Sequence, residues 1–285
     1  MKKIFVGILV IIIGLGSLFA YHKTDITKSL GTDHYKILKK WELPPVLDEI
    51  SGIAYLGNKR IACVQDEDGI IYIYNLNSST IEQEIPFAKD GDYEGITVVN
   101  QDAYVLRSDG IIFEVKSFRS QNPKVTKLTT APNRLPGINI EGLCADTENN
   151  RLLLAVKERE NSAYHKEIYA YNLTNMETVK DPLFLIDLSS PIFENLNDFL
   201  EDKFSPGEIA IHPHSGEYYI LDGSKPKILI TDSQGSHKEL YILDPADFGN
   251  PEGLTFTPEG DLFISNEAED EPANILQVSL KRESK

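Results

Sequence analysis

Basic residues are scarce in this chain, 28 Lys and Arg against 44 Asp and Glu for a net charge of -16. That shortage excludes nucleic acid as a partner, because phosphate binding needs a basic face, and it makes cations the natural guests. Cysteine is scarcer still. Cys63 and Cys144 stand in apolar runs far apart in the chain, with no Cys-x-x-Cys spacing, so they read as two buried unpaired thiols and not as a thiolate metal site. The catalytic signatures that can be read locally are also missing. No Gly-x-Ser-x-Gly elbow, His-Glu-x-x-His helix, glycine-rich phosphate loop or EF-hand loop occurs, which leaves hydrolase, zincin and nucleotide-binding readings without a motif. His212-Pro213-His214-Ser215-Gly216 is the one histidine pair, and its composition is that of a turn between two strands.

Repetition is what the chain does have. Glu94-Gly95-Ile96, Glu141-Gly142-Leu143 and Glu252-Gly253-Leu254 are three copies of one tripeptide, and Ser51-Gly52-Ile53 and Gly207-Glu208-Ile209 are degenerate copies. Each is followed two places on by an apolar residue (Tyr55, Val98, Ala145, Ile211, Phe256), the period of a strand with one buried face. A second apolar run with a polar end follows about a dozen residues later, as at Val64-Gln65-Asp66-Glu67, Val156-Lys157-Glu158 and Ser265-Asn266-Glu267, and a third run follows that. The starts at 51, 94, 141, 207 and 252 have the spacing of four-stranded propeller blades and exceed that of leucine-rich or ankyrin repeats.

A fourth strand is faint in each repeat: Ile81 to Phe87, Val125 to Thr129, Leu183 to Leu188 and Leu240 to Leu243, with none after Leu280. The strand-like run Tyr35 to Leu43 supplies the missing one. Placed as the outer strand of blade five it closes the ring and removes the unpaired edge. The expectation is an all-β, five-bladed propeller of four-stranded blades, with six blades as the alternative, occupying residues 34–285 and forming a monomer.

Ahead of it, Lys2 and Lys3 precede an uncharged apolar stretch from Ile4 to Ala20, at the lower limit for a spanning helix. Residues 1–21 are read as a transmembrane or signal segment, an uncleaved anchor being favoured because the small-residue cleavage signal is poor, and 22–33 as a polar tether. The lysines then stay in the cytoplasm and the propeller lies on the extracytoplasmic side of the membrane. Cleavage would make it periplasmic or secreted.

The ordered motifs Glu49-Ile-Ser-Gly-Ile-Ala-Tyr, Asp92-Tyr-Glu-Gly-Ile-Thr, Ile140-Glu-Gly-Leu, Ile209-Ala-Ile-His-Pro and Pro251-Glu-Gly-Leu-Thr resemble the SdiA-regulated, or YjiK-like, family. These are bacterial membrane-anchored or exported propellers distantly similar to NHL-repeat proteins. The resemblance covers roughly Trp41 to Leu280 and implies a five-bladed propeller with a bound calcium ion and no established reaction. Ser51 and Gly207 stand where the pattern has glutamate, so the ring is incomplete in strict register.

Propeller topology brings the Glu-Gly corners and the polar ends of the second strands to one mouth. Glu94, Glu141, Glu252, Glu49 and Glu208 are then expected to face Asp66, Glu158, Asp222 and Glu267. Two carboxylates ~6 Å apart repel by roughly 3 kcal/mol at an effective dielectric near 20, so such a ring protonates, spreads or holds a cation. Hard oxygen donors without histidine or thiolate select Ca2+, with Mg2+ second. Residue chemistry alone leaves a second reading open, in which each glycine serves a tight corner and each glutamate caps backbone amides. Lys157 and Arg107 either meet an anionic ligand there or pair with the carboxylates. Ser189 to Pro206, with Ile192, Leu196, Phe199 and Leu200 at helical intervals, is expected to form a short amphipathic helix on the same face, as a lid or packed on a blade edge. The function expected is a calcium-binding, non-catalytic module or scaffold for a protein, peptide or glycan at the mouth. The alternative is a calcium-dependent hydrolase of lactone, phosphoester or phytate type.

Overall fold

Each repeat forms its own antiparallel sheet, and the computed structural model describes residues 34–282 other than 131, 161–163, 195 and 197–201. Blade one comprises Ile50–Gly57, Arg60–Gln65, Ile70–Asn75 and Thr80–Pro86; blade two comprises Tyr93–Val99, Asp102–Arg107, Ile111–Lys116 and Lys124–Thr129. Blade three runs Asn139–Asp146, Arg151–Glu158 and His165–Asn172, and its outer edge is shared by two pieces, Glu177–Thr178 and Phe184–Asp187. Blade four is Glu208–Ile211, Tyr218–Asp222, Lys227–Thr231 and His237–Ile242. In blade five, Pro251–Phe256, Leu262–Asn266 and Asn274–Leu280 are joined by Tyr35–Glu42, paired antiparallel from Tyr35↔Leu280 to Glu42↔Asn274. The ring therefore has five blades, closed by the N-terminal strand.

Burial explains which strands the sequence displays strongly. The middle strands are sandwiched between neighbouring blades and buried on both faces, as in Tyr218–Asp222 and Lys227–Thr231, so they read as continuous apolar runs. Fourth strands lie at the rim. Lys124–Thr129 is exposed at every position but Leu128, which is why its sequence signal is faint. Five apolar clusters fill the five gaps between blades, for example Leu106, Ile140, Leu154 and Tyr169 between two and three, and Trp41, Ile53, Tyr74 and Phe263 between five and one.

The innermost strands touch in a closed circuit around the axis, blade one to two, two to three, three to four, four to five and five to one. Glycine makes that circuit possible. A Cβ on Gly52 would lie 2.6 Å from the Ile96 nitrogen, and one on Gly95 would lie 2.7 Å from the Leu143 Cβ.

The insertion Ser189 to Pro206 departs from expectation in its described part, where only a single 3-10 turn, Pro191–Phe193, is formed. Most of the expected helix lies outside the described residues. Phe193 and Phe204 are fully buried in the cluster between blades three and four, so the two ends are packed on the blades. Among the described residues no helix is long and apolar enough to cross a membrane, and the expected anchor and tether lie outside them.

Candidate functional site at the Glu-Gly mouth

Because every first strand starts at one end of the channel, the five corner positions Ser51, Glu94, Glu141, Gly207 and Glu252 sit at that end. Three glutamates from three blades converge there on one lysine. Lys157 Nζ lies 2.7 Å from Glu141 Oε2, and Asn139 Nδ2 donates to Glu141 Oε1 at 2.9 Å. Burial, then Glu141, Asp92 and Glu252, push the Glu94 carboxyl up to about 9. Burial and Glu141 push Glu252 up to about 8 against the pull of Lys157. Glu141 is raised by burial while Lys157 and Asn139 hold it down. Burial would lower the Lys157 ammonium, but Glu141, Glu252 and Glu94 outweigh it and hold it at about 12.

Blade four inverts the motif, and the inversion shapes the mouth. Glu208 takes the glycine position, where it is 1 % exposed and its Oε1 accepts the amides of Leu143 and Ile209, both at 2.8 Å. Here the amide-cap role describes the residue, and its carboxyl stands well above the ordinary value because burial outweighs those two bonds. Gly207 takes the glutamate position and leaves a hollow. A Cβ there would stand 3.5 Å from Glu141 Oε2 and 3.8 Å from Glu252 Oε2, so the two carboxylates flank the same small space.

Farther out, burial followed by Glu49, Glu67 and Asp92 raises Asp66. Glu267, whose Oε2 accepts from Asn250, is pushed to about 7 by burial, Glu49 and Asp66. Glu49, Asp66 and Glu267 thus form an outer acidic group beside the inner one. Glu158 stands apart, exposed at the end of its strand next to Lys157. Asp222 is taken by Lys227 at 2.7 Å and by the Ser205 amide, and Arg107 by Asp109 at 2.7 Å.

Sequence reasoning missed a second ring. Two residues before each corner position stands a polar one, Glu49, Asp92, Asn139, Ser205 and Asn250. Only Asn139 falls inside a strand, and the other four lie just ahead of theirs, so this ring stands at the strand entrances. Asp92 accepts from Ser108 Oγ, while Asn139 and Asn250 donate to Glu141 and Glu267. The period-two step that located the apolar positions downstream would have found this ring upstream.

The donor chemistry here suits a hard cation. Every polar side chain of the inner group except Lys157 offers oxygen or amide, and buried oxygens on this face, among them Ser51 Oγ, Asp66 Oδ1, Asn139 Oδ1 and Glu141 Oε2, lack a hydrogen-bond partner, Glu141 Oε2 having only its ion pair. Among the described residues no three His, Cys, Asp or Glu side chains already stand as a metal cage. A bound ion would draw in the carboxylates around the Gly207 hollow.

Comparison with known proteins agrees with this architecture. The family described as SdiA-regulated matches residues 27–273. No curated protein matches the chain. Among solved structures, the glutaminyl cyclase of Myxococcus xanthus is similar with a TM-score of 0.59 at 14% identity, covering 88% of this chain and 97% of its own. The PQQ-bound aldose sugar dehydrogenase of Streptomyces coelicolor has a TM-score of 0.54 at 13% identity, covering 86% and 97%. At such identities the likeness is one of fold.

Proposed function

The chain belongs to the SdiA-regulated family, and on that premise we propose that its propeller is a membrane-anchored, extracytoplasmic binding module whose Glu-Gly mouth takes a divalent cation, calcium ahead of magnesium. The carrying observation is the crowding of carboxyls at the axis, where Glu94, Glu141 and Glu252 share the one ammonium of Lys157 and, without an ion, Glu94 and Glu252 are driven to keep their protons. A divalent ion would displace those protons and take their place, held by Glu94, Glu141, Glu252 and the Ser51 hydroxyl. The outer group of Glu49, Asp66 and Glu267 would then face a protein, peptide or glycan docking on that side. Because such an ion binds only the folded state, calcium at ~100 times its dissociation constant should stabilise the propeller by roughly 2.7 kcal/mol, and a chelator should remove the gain. Titration calorimetry showing no calcium binding, or Gln variants of Glu94, Glu141 and Glu252 that all bind like the wild type, would defeat the reading.

A second reading rests on the same acids. Carboxyls raised to about 8 and 9 in a concave mouth are protonated at neutral pH and suit general acid catalysis, so a calcium-dependent hydrolase is the alternative. Turnover of a lactone or phosphoester that disappears in Glu252→Gln while calcium binding survives would favour it.

A further inference from the structure

A large cavity lies at the other end of the channel. It holds about 1100 Å³ and draws its walls from all five blades. Tyr55, Val98, Ala145, Ile211 and Phe256, the apolar residues at the lower ends of the innermost strands, all line it, and each is only partly buried because its remaining surface faces this space. Two of their amides are held from within the ring, since Thr97 Oγ1 accepts the Ala145 amide at 3.1 Å and Thr255 Oγ1 accepts the Tyr55 amide at 3.2 Å. What the walls leave open is a mixture of apolar and polar surface, with Tyr55, Phe118 and Phe256 among the lining residues.

Charge separates this mouth from the other. A chain with 44 acidic residues places none in the lining, and the one charged residue there is Arg119. Glu82, which feels the Arg119 charge, is already paired with Arg60 at 2.6 Å. The volume is slightly above the range of about 300–1,000 Å³ typical of small-molecule sites, which combine apolar walls with placed polar groups. A cation would find no counter-charge in this lining, and a polyanion would find only one.

We infer that this second mouth is a binding site for a small aromatic molecule with polar edges and no more than one negative charge, its body between Tyr55 and Phe256 and its anionic group toward Arg119. It is separate from the carboxylate mouth and works without it.

Cys144 supplies a reporter, because it lines the cavity and is partly exposed while Cys63 is fully buried. The probe is anilinonaphthalene sulfonate, an aromatic body with one negative charge, added to the wild-type propeller. Saturable fluorescence at one molecule per chain is expected, together with slower maleimide labelling of Cys144, both unchanged by chelator. Arg119→Gln should bind about tenfold more weakly, the loss of one charge-assisted contact. Ala145→Phe should abolish binding by filling the channel. Should that variant fail to fold, Gln101→Trp at the exposed rim is the substitute block, and Cys144 protection needs no variant. Absence of saturable binding, labelling of Cys144 at an unchanged rate under saturating probe, or equal binding by Arg119→Gln and the blocked variant would overturn the inference.

Discussion

Lys157 is held by Glu141 and feels Glu94 and Glu252 as well, so at the scale of single residues it is a resident cation competing for the place a metal would take. Lys157→Met should therefore raise calcium affinity by about tenfold, as expected when one like charge leaves a buried site, and titration calorimetry reads the change. Weaker binding in that variant would show that the ammonium organises the carboxylates instead of opposing the ion. The acids also give a pH signature. Glu94 and Glu252 stand at about 9 and 8 in the folded protein against an ordinary value of 4.5, so between those limits the folded apoprotein holds more protons than the unfolded chain. Their contribution to stability is full below about 4.5 and is lost as pH rises through 8 and 9. Calcium binds the ionised forms, so the rise in melting temperature on adding it should be larger at pH 9 than at pH 6. A rise that is the same at both would contradict this coupling.

At the scale of the strand, the Glu-Gly corner joins two functions that substitution can separate. In Gly95→Ala the new methyl would meet the Leu143 Cβ at 2.7 Å and the Glu141 carbonyl at 2.9 Å, and overpacking of this kind costs about 1–3 kcal/mol. Gly207→Ala meets nothing closer than 3.5 Å, so it should melt like the wild type yet weaken calcium binding by occupying the hollow. Chemical denaturation and calorimetry on the pair would reveal either failure. These two glycines also mark what could be read in advance. Five phased copies made the blades and the closing strand legible, because strand period and apolar burial are local properties. The inversion at Gly207-Glu208 was visible as a departure, but its result was not: that Glu208 turns onto the Leu143 amide and Gly207 opens a space depends on the neighbouring blade. The outer edge of blade three was read in part, since Leu183 to Leu188 contains the strand Phe184–Asp187 while Glu177–Thr178 went unread. That piece pairs with only Tyr171 and Asn172 at the end of His165–Asn172, and two residues are too few to show a period.

For the whole molecule, the strand Tyr35–Glu42 is the fastening. Tyr35 Oη donates to Asp247 Oδ2 at 2.8 Å on the blade four side, and Trp41 Nε1 donates to the Leu76 carbonyl at 2.7 Å in blade one, so this strand ties blade five to both neighbours. Removing residues 34–43 should expose the edge of Asn274–Leu280 and lower the melting temperature by well over 10 °C or produce aggregates, given that 1 kcal/mol moves a domain of this size by roughly 2–4 °C. Sedimentation and a thermal melt decide it, and a truncated monomer melting with the full domain would refute closure. The same fastening orders events in time. Tyr35 pairs with Leu280, so the strand that leaves the ribosome first finds its partner only after the last repeat has been made. Until then a half-built ring carries two open edges, and contacts this distant in sequence form slowly. If the N-terminus anchors the chain in a membrane, as proposed above, that first strand would wait beside the lipid while the blades assemble, and the circle would be completed there.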